Sequence, residues 1–458
     1  MKITMSLGLV LFSALTASSA QLPKECSPPT SVEQAIRDNP SAKTYMEAGT
    51  RFVDQGNLKC AVASSEEAVR LAKAAHDNAD PQLTSALGDL GVLRANKGDT
   101  DGAERLLRLA IEYDPNYERG HVNLGLILAK QQRFTEAEAE VDKALKLAPE
   151  DAAALEAAGR VKARLGKSVE GVALLRKAVA LKPQSATAHL ELGMVLADNY
   201  DLEGALTENS EAVRLAPGSA FAHLDRGRVL FDLGRKEEAQ PDLESASRLA
   251  PEMPEPYFFL ALIAKQDGHY KHAVTLLQTV VKLEPRNAAA WYLLGQSFEQ
   301  TSQTKAAIAA WKQAVAIEPD YSQALWNLAR ALKPDDPDEA ARFMARYSEL
   351  QKKRLVVDQA STLGNDALAA GRTHDWPEAI RQFQKAIEVC GDCAIKADLH
   401  KKLGLTECQM GDIENGEKEL RLAQALKPAD PDIERALERI AAVRTERVAS
   451  HPASEKPH

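Results

Sequence analysis

Aromatic residues are scarce in this sequence, at 5% of 458 residues, and no excess of basic residues offsets the acidic ones. A β-rich core depends on aromatic and β-branched side chains, whereas the charged residues that make up 27% of the chain, together with plentiful Ala and Leu, favour helices. The 57 basic residues face 66 acidic ones, and the net charge is -9. We therefore expect a helical protein that does not bind nucleic acid, because its charge provides no bulk attraction to phosphate.

Long apolar runs are missing beyond the N-terminus, where Lys2 precedes an apolar run over 5–15 and small residues lead up to Ala20. A positive start, a short apolar stretch and small residues before the cut are typical of a secretory signal peptide, predicted here over 1–20 with cleavage after Ala20. The run is short for a membrane span, and an uncleaved anchor is the alternative. We expect an exported mature chain, periplasmic or extracellular, without a membrane span.

Cysteine occurs five times, and export allows these residues to form disulfides. Cys26 lies on an arm that can fold back onto Cys60 at the start of a helix, which makes a Cys26–Cys60 bridge plausible. Cys390 and Cys393 form a Cys-x-x-Cys, which indicates either a redox motif or, as we favour for a loop between helices, a local structural disulfide. Cys408 lies about 16 Å along the following helix, too far for a bridge, and is expected to be a buried free thiol.

No sequence motif indicates catalysis or cofactor binding. The chain contains no Gly-rich phosphate loop and no His-Glu-x-x-His sequence, and nothing places Ser, His and Asp together as a triad. His269 and His272 are three residues apart, but the gap spans a predicted turn and no third ligand is placed beside them. We therefore expect no catalytic residue, no cofactor and no metal site, and we predict that the protein is not an enzyme.

A constant interval of 34 residues organises the middle of the chain. Prolines follow one another at this interval, and a second series, of glycines with one alanine, runs midway between them. The two series are Pro115, Pro149, Pro183, Pro217, Pro251, Pro285 and Pro319, and Gly91, Gly125, Gly159, Gly193, Gly227, Ala261 and Gly295. A fixed period of this size is the signature of stacked supersecondary units.

One such unit runs over 118–151. Its first half has an apolar stripe at helical spacing, a polar turn follows, and a second amphipathic stretch from Thr135 to Leu147 is ended by Pro149. Two such helices joined by a short turn form an αα-hairpin, whose apolar faces the next unit must cover. The sequence therefore predicts an all-α solenoid of antiparallel helix pairs.

The small residues of this unit carry a resemblance to a known family. Leu124, Gly125, Ala137, Ala144 and Pro149 fall at the positions of the tetratricopeptide pattern, and neighbouring units repeat them in phase. The chain thus resembles tetratricopeptide-repeat proteins over nearly all of its mature length, in about eleven repeats. The resemblance implies a right-handed superhelix whose first helices line a concave groove, and a function in binding peptides or protein segments without catalysis.

The regularity of the pattern sets the expected domain boundaries. We predict an N-terminal arm over 21–41, a repeat array over 42–430 that is most regular over 84–321, a capping helix over 431–448 and a disordered tail over 449–458.

Four histidines, His121, His189, His223 and His400, stand at the fourth position of their repeats, where the family pattern has Trp. They form either a ladder of ligands or, as we favour, a series of flat rings that fill the same packing site.

If binding is the function, the family directs certain positions of the first helices to the concave groove. Along the array these positions hold arginines, then a mostly acidic segment, then aromatic residues with amide and guanidinium groups. The predicted protein-binding residues are Arg160, Arg164, Glu191, Asp198, Asp225, Arg228, Asp232, Phe258, Phe259, Tyr292, Gln296, Trp326, Asn327 and Arg330. This order suits an extended, partly basic polypeptide. The alternative is that the charges form a solvated face and the aromatic rings pack against neighbouring helices.

We therefore predict an exported scaffold that captures a protein or extended peptide, of unknown identity, in the groove. The alternative is a substrate-recruiting or assembly module for a separately encoded enzyme such as a glycosyltransferase. Two specialised sites of the family, the clamp for chaperone tails and the asparagine ladder of glycosyltransferase-associated arrays, are not matched residue by residue.

Overall fold

The computed structural model describes residues 22–23, 25–74 and 81–450. Every regular element in these ranges is an α-helix, and the helices follow one another through short turns. By itself, each of two units is compact: one extends to Ile263 and the other begins at Ala264. None of the described helices has the length and apolar character that crossing a membrane requires. The predicted all-α fold of helix pairs is confirmed.

The first unit consists of a short helix followed by antiparallel pairs. Its helices are α1 (Thr30–Asp38), α2 (Ala42–Asp54), α3 (Leu58–Ala74), α4 (Pro81–Asn96), α5 (Thr100–Tyr113), α6 (Glu118–Lys130), α7 (Phe134–Leu147), α8 (Ala152–Arg164), α9 (Ser168–Leu181), α10 (Ala186–Asp198), α11 (Leu202–Leu215), α12 (Ala220–Asp232), α13 (Lys236–Leu249) and the larger part of α14 (Pro254–Gln266). Pairs form between α2 and α3, α4 and α5, and so on to α12 and α13. The core lies within and between pairs, as where Leu124, Val141 and Ala157 pack together.

The second unit contains the end of α14 and nine further helices. These are α15 (Tyr270–Leu283), α16 (Ala288–Gln300), α17 (Thr304–Ile317), α18 (Ser322–Leu332), α19 (Pro337–Arg372), α20 (Trp376–Cys390), α21 (Lys396–Met410), α22 (Ile413–Leu426) and α23 (Pro431–Ser450). Trp311 and Phe383 are fully buried and lie in two separate core clusters.

The long helix α19 departs from the pair pattern. The pattern predicts a second helix of the ninth repeat from Asp338 and then a separate tenth repeat, but α19 runs unbroken for 36 residues. Its first part, including Ala340, packs with α18, and its last part, including Ala367, packs with α20. The helix continues because 338–363 contains neither Gly nor Pro to end it. A single helix therefore serves two successive pairs.

Caps and prolines determine where the helices begin and end. The side chain of Asp151 accepts hydrogen bonds from the first amides of α8, and Ser185 does the same for α10. At the end of α9, Lys182 leaves the helical conformation, with φ -128° and ψ 69°, because the residue before Pro183 is restricted away from it. The turn between the two helices of a pair contains a residue in the left-handed backbone conformation, such as Gly166 at φ +78°. The regular prolines therefore mark the ends of second helices.

The predicted terminal segments extend beyond the described residues. The predicted signal peptide over 1–20 lies entirely outside them, as do residues 451–458 of the predicted tail. Helix α1 occupies part of the predicted arm. Helix α23 ends at Ser450, so residues 449 and 450 continue the helix and do not belong to a tail. Ala449 and Ser450 offer no helix-breaking feature that would end it earlier.

Two disulfides join the cysteines that the sequence groups together. Cys26 bonds to Cys60 and Cys390 to Cys393, with Cα atoms 5.3 and 5.0 Å apart. Cys408 is a free thiol, half-buried in contrast to the full burial expected of it. Burial raises the pKa of Cys408, and nearby carboxylates act in the same direction. A protonated thiol is a poor nucleophile, which suits a structural residue.

Asn209 on α11 occupies a position that other pairs fill with an apolar side chain. It is fully buried, and neither its amide nitrogen nor its amide oxygen has a hydrogen-bond partner among the described residues. Its amide lies over Gly193 of α10. The residues one repeat before and after, Leu175 and Leu243, are also fully buried over a glycine. An unpaired amide in this site destabilises the α10–α11 pair.

We predict that Asn209→Leu stabilises the first unit by about 1–3 kcal/mol, because it removes a buried unpaired amide and adds apolar burial. Backbone hydrogen exchange in α10 and α11 should slow, and the midpoint of thermal unfolding should rise. Thr207→Leu, on the exposed side of the same helix, is the matched control and should change the midpoint little. A loss of stability in Asn209→Leu would mean that the amide has an important partner.

Glu407 on α21 is a buried acid in the second unit. It is 6% exposed, and its Oε2 atom has no hydrogen-bond partner among the described residues. The pKa of Glu407 is raised to about 7, mainly by burial and to a smaller extent by the nearby carboxylates of Glu419 and Asp412. The folded state therefore disfavours the charged form of this side chain.

We predict that Glu407→Gln stabilises the protein only where Glu407 is charged. A carboxyl whose pKa is higher in the folded state opposes folding above its unfolded pKa, and the cost is complete once the pH exceeds about 7. Thermal unfolding followed by circular dichroism should give Glu407→Gln a higher midpoint than the unchanged protein at about pH 8, and the same midpoint at about pH 4. Glu414→Gln, at an exposed position of α22, is the control. An equal gain at both pH values would contradict the charge-based explanation.

Candidate functional site

The predicted groove residues all lie on first helices of pairs, but they divide between the two units. Helices α8, α10, α12 and the first part of α14 carry nine of them in the first unit: Arg160, Arg164, Glu191, Asp198, Asp225, Arg228, Asp232, Phe258 and Phe259. Helices α16 and α18 carry the other five in the second unit: Tyr292, Gln296, Trp326, Asn327 and Arg330.

Two adjoining cavities lie among the first helices of the first unit. One has a volume of about 760 Å³ and lies among α4, α6, α8 and α10, and the other has a volume of about 740 Å³ and lies among α2, α4, α6 and α8. Val92, Asn96 and Asn123 line both cavities. Volumes of this size are typical of ligand-binding pockets. The concave surface therefore begins well before Arg160, the first residue predicted from the sequence.

The cavity of about 760 Å³ combines an apolar floor with a polar rim. Its rim includes Asn96, Lys130, Arg164 and Asp198, which stand at the same position of four successive repeats. Of these, Arg164 and Asp198 belong to the predicted set, whereas Asn96 and Lys130 were missed. The regular spacing was the signal that could have found them, because side chains one repeat apart project from the same side of parallel first helices.

The charged groups of α8, α10 and α12 lie close to one another. Arg160 Nε is 3.1 Å from a carboxylate oxygen of Glu191, and Arg228 Nη2 is 3.7 Å from one of Asp225. Burial raises the pKa of both Glu191 and Asp225, and the nearby arginines oppose this effect only in part. Two nitrogens of the Arg228 guanidinium are buried without a hydrogen-bond partner among the described residues. Glu191, Asp225 and Arg228 are therefore half-buried and incompletely paired, whereas Arg160 is exposed.

The aromatic residues of α14 pack mainly against each other and against α12. The ring centroids of Phe258 and Phe259 are 6.1 Å apart, and those of Phe231 and Phe259 are 5.6 Å apart, both in edge-to-face arrangements. Phe258 and Phe259 are half-buried. Their packing matches the alternative interpretation that we gave for the aromatic positions.

A hydrogen-bonded network organises the candidate residues of the second unit. The amide nitrogen of Gln296 donates to the Tyr292 hydroxyl at 2.7 Å, and the Lys265 ammonium donates to the Gln296 amide oxygen at 2.7 Å. The Tyr292 ring stacks on Tyr321 with centroids 5.1 Å apart. Burial raises the pKa of Tyr292, and the nearby Asn327 side chain opposes the shift. The network was not predicted, because its central cation, Lys265, was not among the candidate residues.

Trp326 is the most exposed aromatic candidate, with 43% of its surface accessible. The Arg330 guanidinium lies over its ring, 5.2 Å from the centroid. Arg330 also forms an ion pair with Glu299. Arg330 therefore contacts the indole ring of Trp326 and neutralises the Glu299 carboxylate.

Each histidine at the fourth repeat position contacts a carboxylate of its own helix pair. Nε2 of His189 is 3.1 Å from the carbonyl oxygen of Pro183, and Nδ1 is 2.6 Å from a carboxylate oxygen of Glu208. His121 and His223 repeat this arrangement. Trp291, at the same position, donates its indole N–H to Pro285 at 2.9 Å. These four rings therefore tie a first helix to the proline that ends the preceding helix, whereas His400 contacts the Glu419 carboxylate through Nδ1 and has no such proline. Across the described part of the chain, no three His, Cys, Asp or Glu side chains are grouped as metal ligands.

Comparison with protein families gives one match. The tetratricopeptide-repeat model matches residues 89–152, 156–220, 224–270 and 258–316. No curated protein matches the sequence.

Several solved structures are similar to parts of this chain at low sequence identity. A tetratricopeptide repeat protein from Parabacteroides merdae is 17% identical and covers 57% of this chain and 100% of its own, with a TM-score of 0.44. PilF from Pseudomonas aeruginosa is 20% identical and covers 44% of this chain and 92% of its own, with a TM-score of 0.41. Human IFIT1 is 15% identical and covers 89% of this chain and 96% of its own, with a TM-score of 0.43. Similarity at this level transfers no function.

Proposed function

Because the chain belongs to the tetratricopeptide-repeat family, we propose that it is a non-catalytic scaffold that binds segments of other proteins on the surface of its first helices. Repeat proteins of this kind offer extended surfaces on which affinity is spread over several repeats. The observation that carries the proposal is the pair of adjoining cavities in the first unit, with volumes of about 760 and 740 Å³.

The chemistry of these cavities suits an extended polypeptide. Apolar side chains such as Leu126 and Ile127 can cover a hydrophobic residue of the partner, and this burial provides affinity. The amides of Asn96 and Asn123 each offer both donors and acceptors, which an extended backbone requires. A shared wall allows successive residues of one segment to occupy both cavities.

We further propose that the segment bound along α10 and α12 is partly basic. Glu191, Asp225 and Asp232 have pKa values raised by burial, so they are held in sites that do not fully compensate their charge. A lysine or arginine of the partner would supply that compensation. Arg160 and Arg228 limit the excess of negative charge and would favour a segment of mixed charge.

A photoreactive residue placed in the cavity tests the proposal. We expect a photo-crosslinking amino acid at Leu126, in the wall of the larger cavity, to form discrete adducts with protein in the exported fraction. The same residue at Leu147, an exposed site at the end of α7, is the matched control and should form few adducts. Asn96→Ala combined with Asn123→Ala should reduce the Leu126 adducts. Equal adduct formation at both sites would contradict binding in the cavity.

An alternative function is a recruiting or assembly module for a separately encoded enzyme, such as a glycosyltransferase. Both functions use the same surface and differ in the identity of the partner. Identification of the cross-linked protein separates them: an enzyme as the dominant adduct favours recruitment, and a non-enzymatic protein favours the scaffold.

We propose that the protein acts outside the cytoplasm. The Cys26–Cys60 and Cys390–Cys393 disulfides support this location, because disulfides persist in oxidising compartments and are rare in reducing ones. The sequence of residues 1–20 suits a secretory signal.

Analysis of the purified exported protein tests this location. We expect Gln21 as the N-terminal residue, since cleavage is predicted after Ala20. Mass mapping without reduction should find both disulfides and an alkylated Cys408. Recovery of the chain solely from the cytoplasm, with residues 1–20 attached and all thiols free, would contradict export.

A further inference from the structure

Lys265 is a cation without an acidic partner in the second unit. Its ammonium donates one hydrogen bond, to the amide oxygen of Gln296 at 2.7 Å. In the part of the chain that the structure describes, no carboxylate lies within ion-pair distance of it, whereas Lys312 of the same unit pairs with Glu339 at 2.7 Å. The lysine is half-buried. An ammonium has three donors, so Lys265 retains hydrogen-bonding capacity that the protein leaves unused.

The neighbouring side chains hold this arrangement in place. Gln296 is fixed by its own hydrogen bond to the Tyr292 hydroxyl, so its amide oxygen faces Lys265. The nearby carboxylate of Glu299 is paired with Arg330. Lys265 therefore has no acid within the site that could neutralise it.

Partial burial without an opposite charge makes the charged lysine less favourable. Burial alone lowers the pKa of Lys265 to about 8. A carboxylate supplied from outside would reverse this cost, because an opposite charge at close range favours the ammonium form. The site is thus electrostatically incomplete in the isolated chain.

An apolar surface lies on the next first helix. Trp326 stands one repeat after Tyr292, at the same position of that helix, and 43% of its surface is exposed. Exposed indole rings are frequent anchors in protein interfaces. The exposed indole therefore lies on α18, the first helix that follows α16, which carries Tyr292 and Gln296.

We propose that this lysine–tryptophan site, formed by Lys265, Tyr292, Gln296 and Trp326, binds an acidic segment of a partner protein. A Glu or Asp carboxylate of the segment accepts a hydrogen bond from Lys265, and an apolar residue elsewhere in the same segment covers Trp326. The inference rests on the proposed function, and it assigns to the second unit a ligand charge opposite to that proposed for α10 and α12. A nucleic acid is disfavoured, since phosphate backbones require several free cations and Arg330 is already paired.

Matched peptide pools test the inference. Two pools of short synthetic peptides differ only at the central residue, Glu in one and Gln in the other, and their flanking positions hold randomised uncharged residues. We expect the immobilised full chain to retain the Glu pool about tenfold more than the Gln pool, as a charge-assisted hydrogen bond implies. Lys265→Met should reduce the ratio to about one, since the charge is lost while the apolar stem is largely kept.

Control variants separate charge recognition from general effects. Lys305→Met removes an exposed lysine on α17 and should leave the ratio unchanged. Trp326→Ala should lower retention of both pools and preserve their ratio. Far-UV circular dichroism checks that each variant is folded, and Lys265→Gln provides a second test of the same charge.

The outcomes distinguish the inference from the function on which it rests. Equal retention of the two pools, or a Glu preference that survives in Lys265→Met, overturns the acidic-segment site and leaves segment binding intact. If the chain retains neither pool, the acidic-segment site is overturned. Cross-linking at Leu126 then still tests the proposed function independently. The acidic-segment site is also overturned if the immobilised chain retains single-stranded oligothymidine more strongly than the Glu pool and if Lys265→Met abolishes that retention.

Discussion

Close contact between a glycine on the first helix and a branched side chain on the second sets the geometry of several helix pairs in the first unit. A Cβ atom on Gly159 would lie 2.6 Å from Leu175 Cγ, and one on Gly227 would lie 2.9 Å from Leu243 Cγ. Because no real Cβ contact is that short, the missing side chain lets the two helices pack together. Gly125 and Val141 make the same contact, whereas Asn209 and Trp311 occupy the equivalent position over Gly193 and Gly295.

This constraint leaves the outward positions of the first helices, where the proposed binding residues lie, free to vary. Positions that hold the pair together are restricted to small or branched residues, whereas the outward positions are free to differ. Asn96, Lys130 and Arg164 share one repeat position and line one cavity, yet each has different chemistry. Asn209 shows the cost of variation at a restricted position, since its polar side chain is buried without a partner. Differences between repeats, and not the shared pattern, therefore determine what is bound.

Prediction from the sequence succeeded where the determinants are local. Pro183 ends a helix because of its own ring and the restriction it imposes on Lys182, and both effects can be read from adjacent residues. It failed for α19, because a family pattern of paired helices was applied where no Gly or Pro interrupts the chain. It also missed Lys265, since the importance of that residue depends on Gln296 and on the pairing of Glu299 with Arg330.

The sequence by itself determined the class of fold, the helix pairs and the family, because periodic apolar, small and proline residues act over one or two turns of helix. The tertiary structure decided where the surface is concave, which charges are paired and which are left over. Those properties arise when side chains about 30 residues apart come into contact. A lysine is ordinary in the sequence, and Lys265 becomes distinctive only when burial and the absence of a carboxylate within ion-pair distance, across the described residues, are both known.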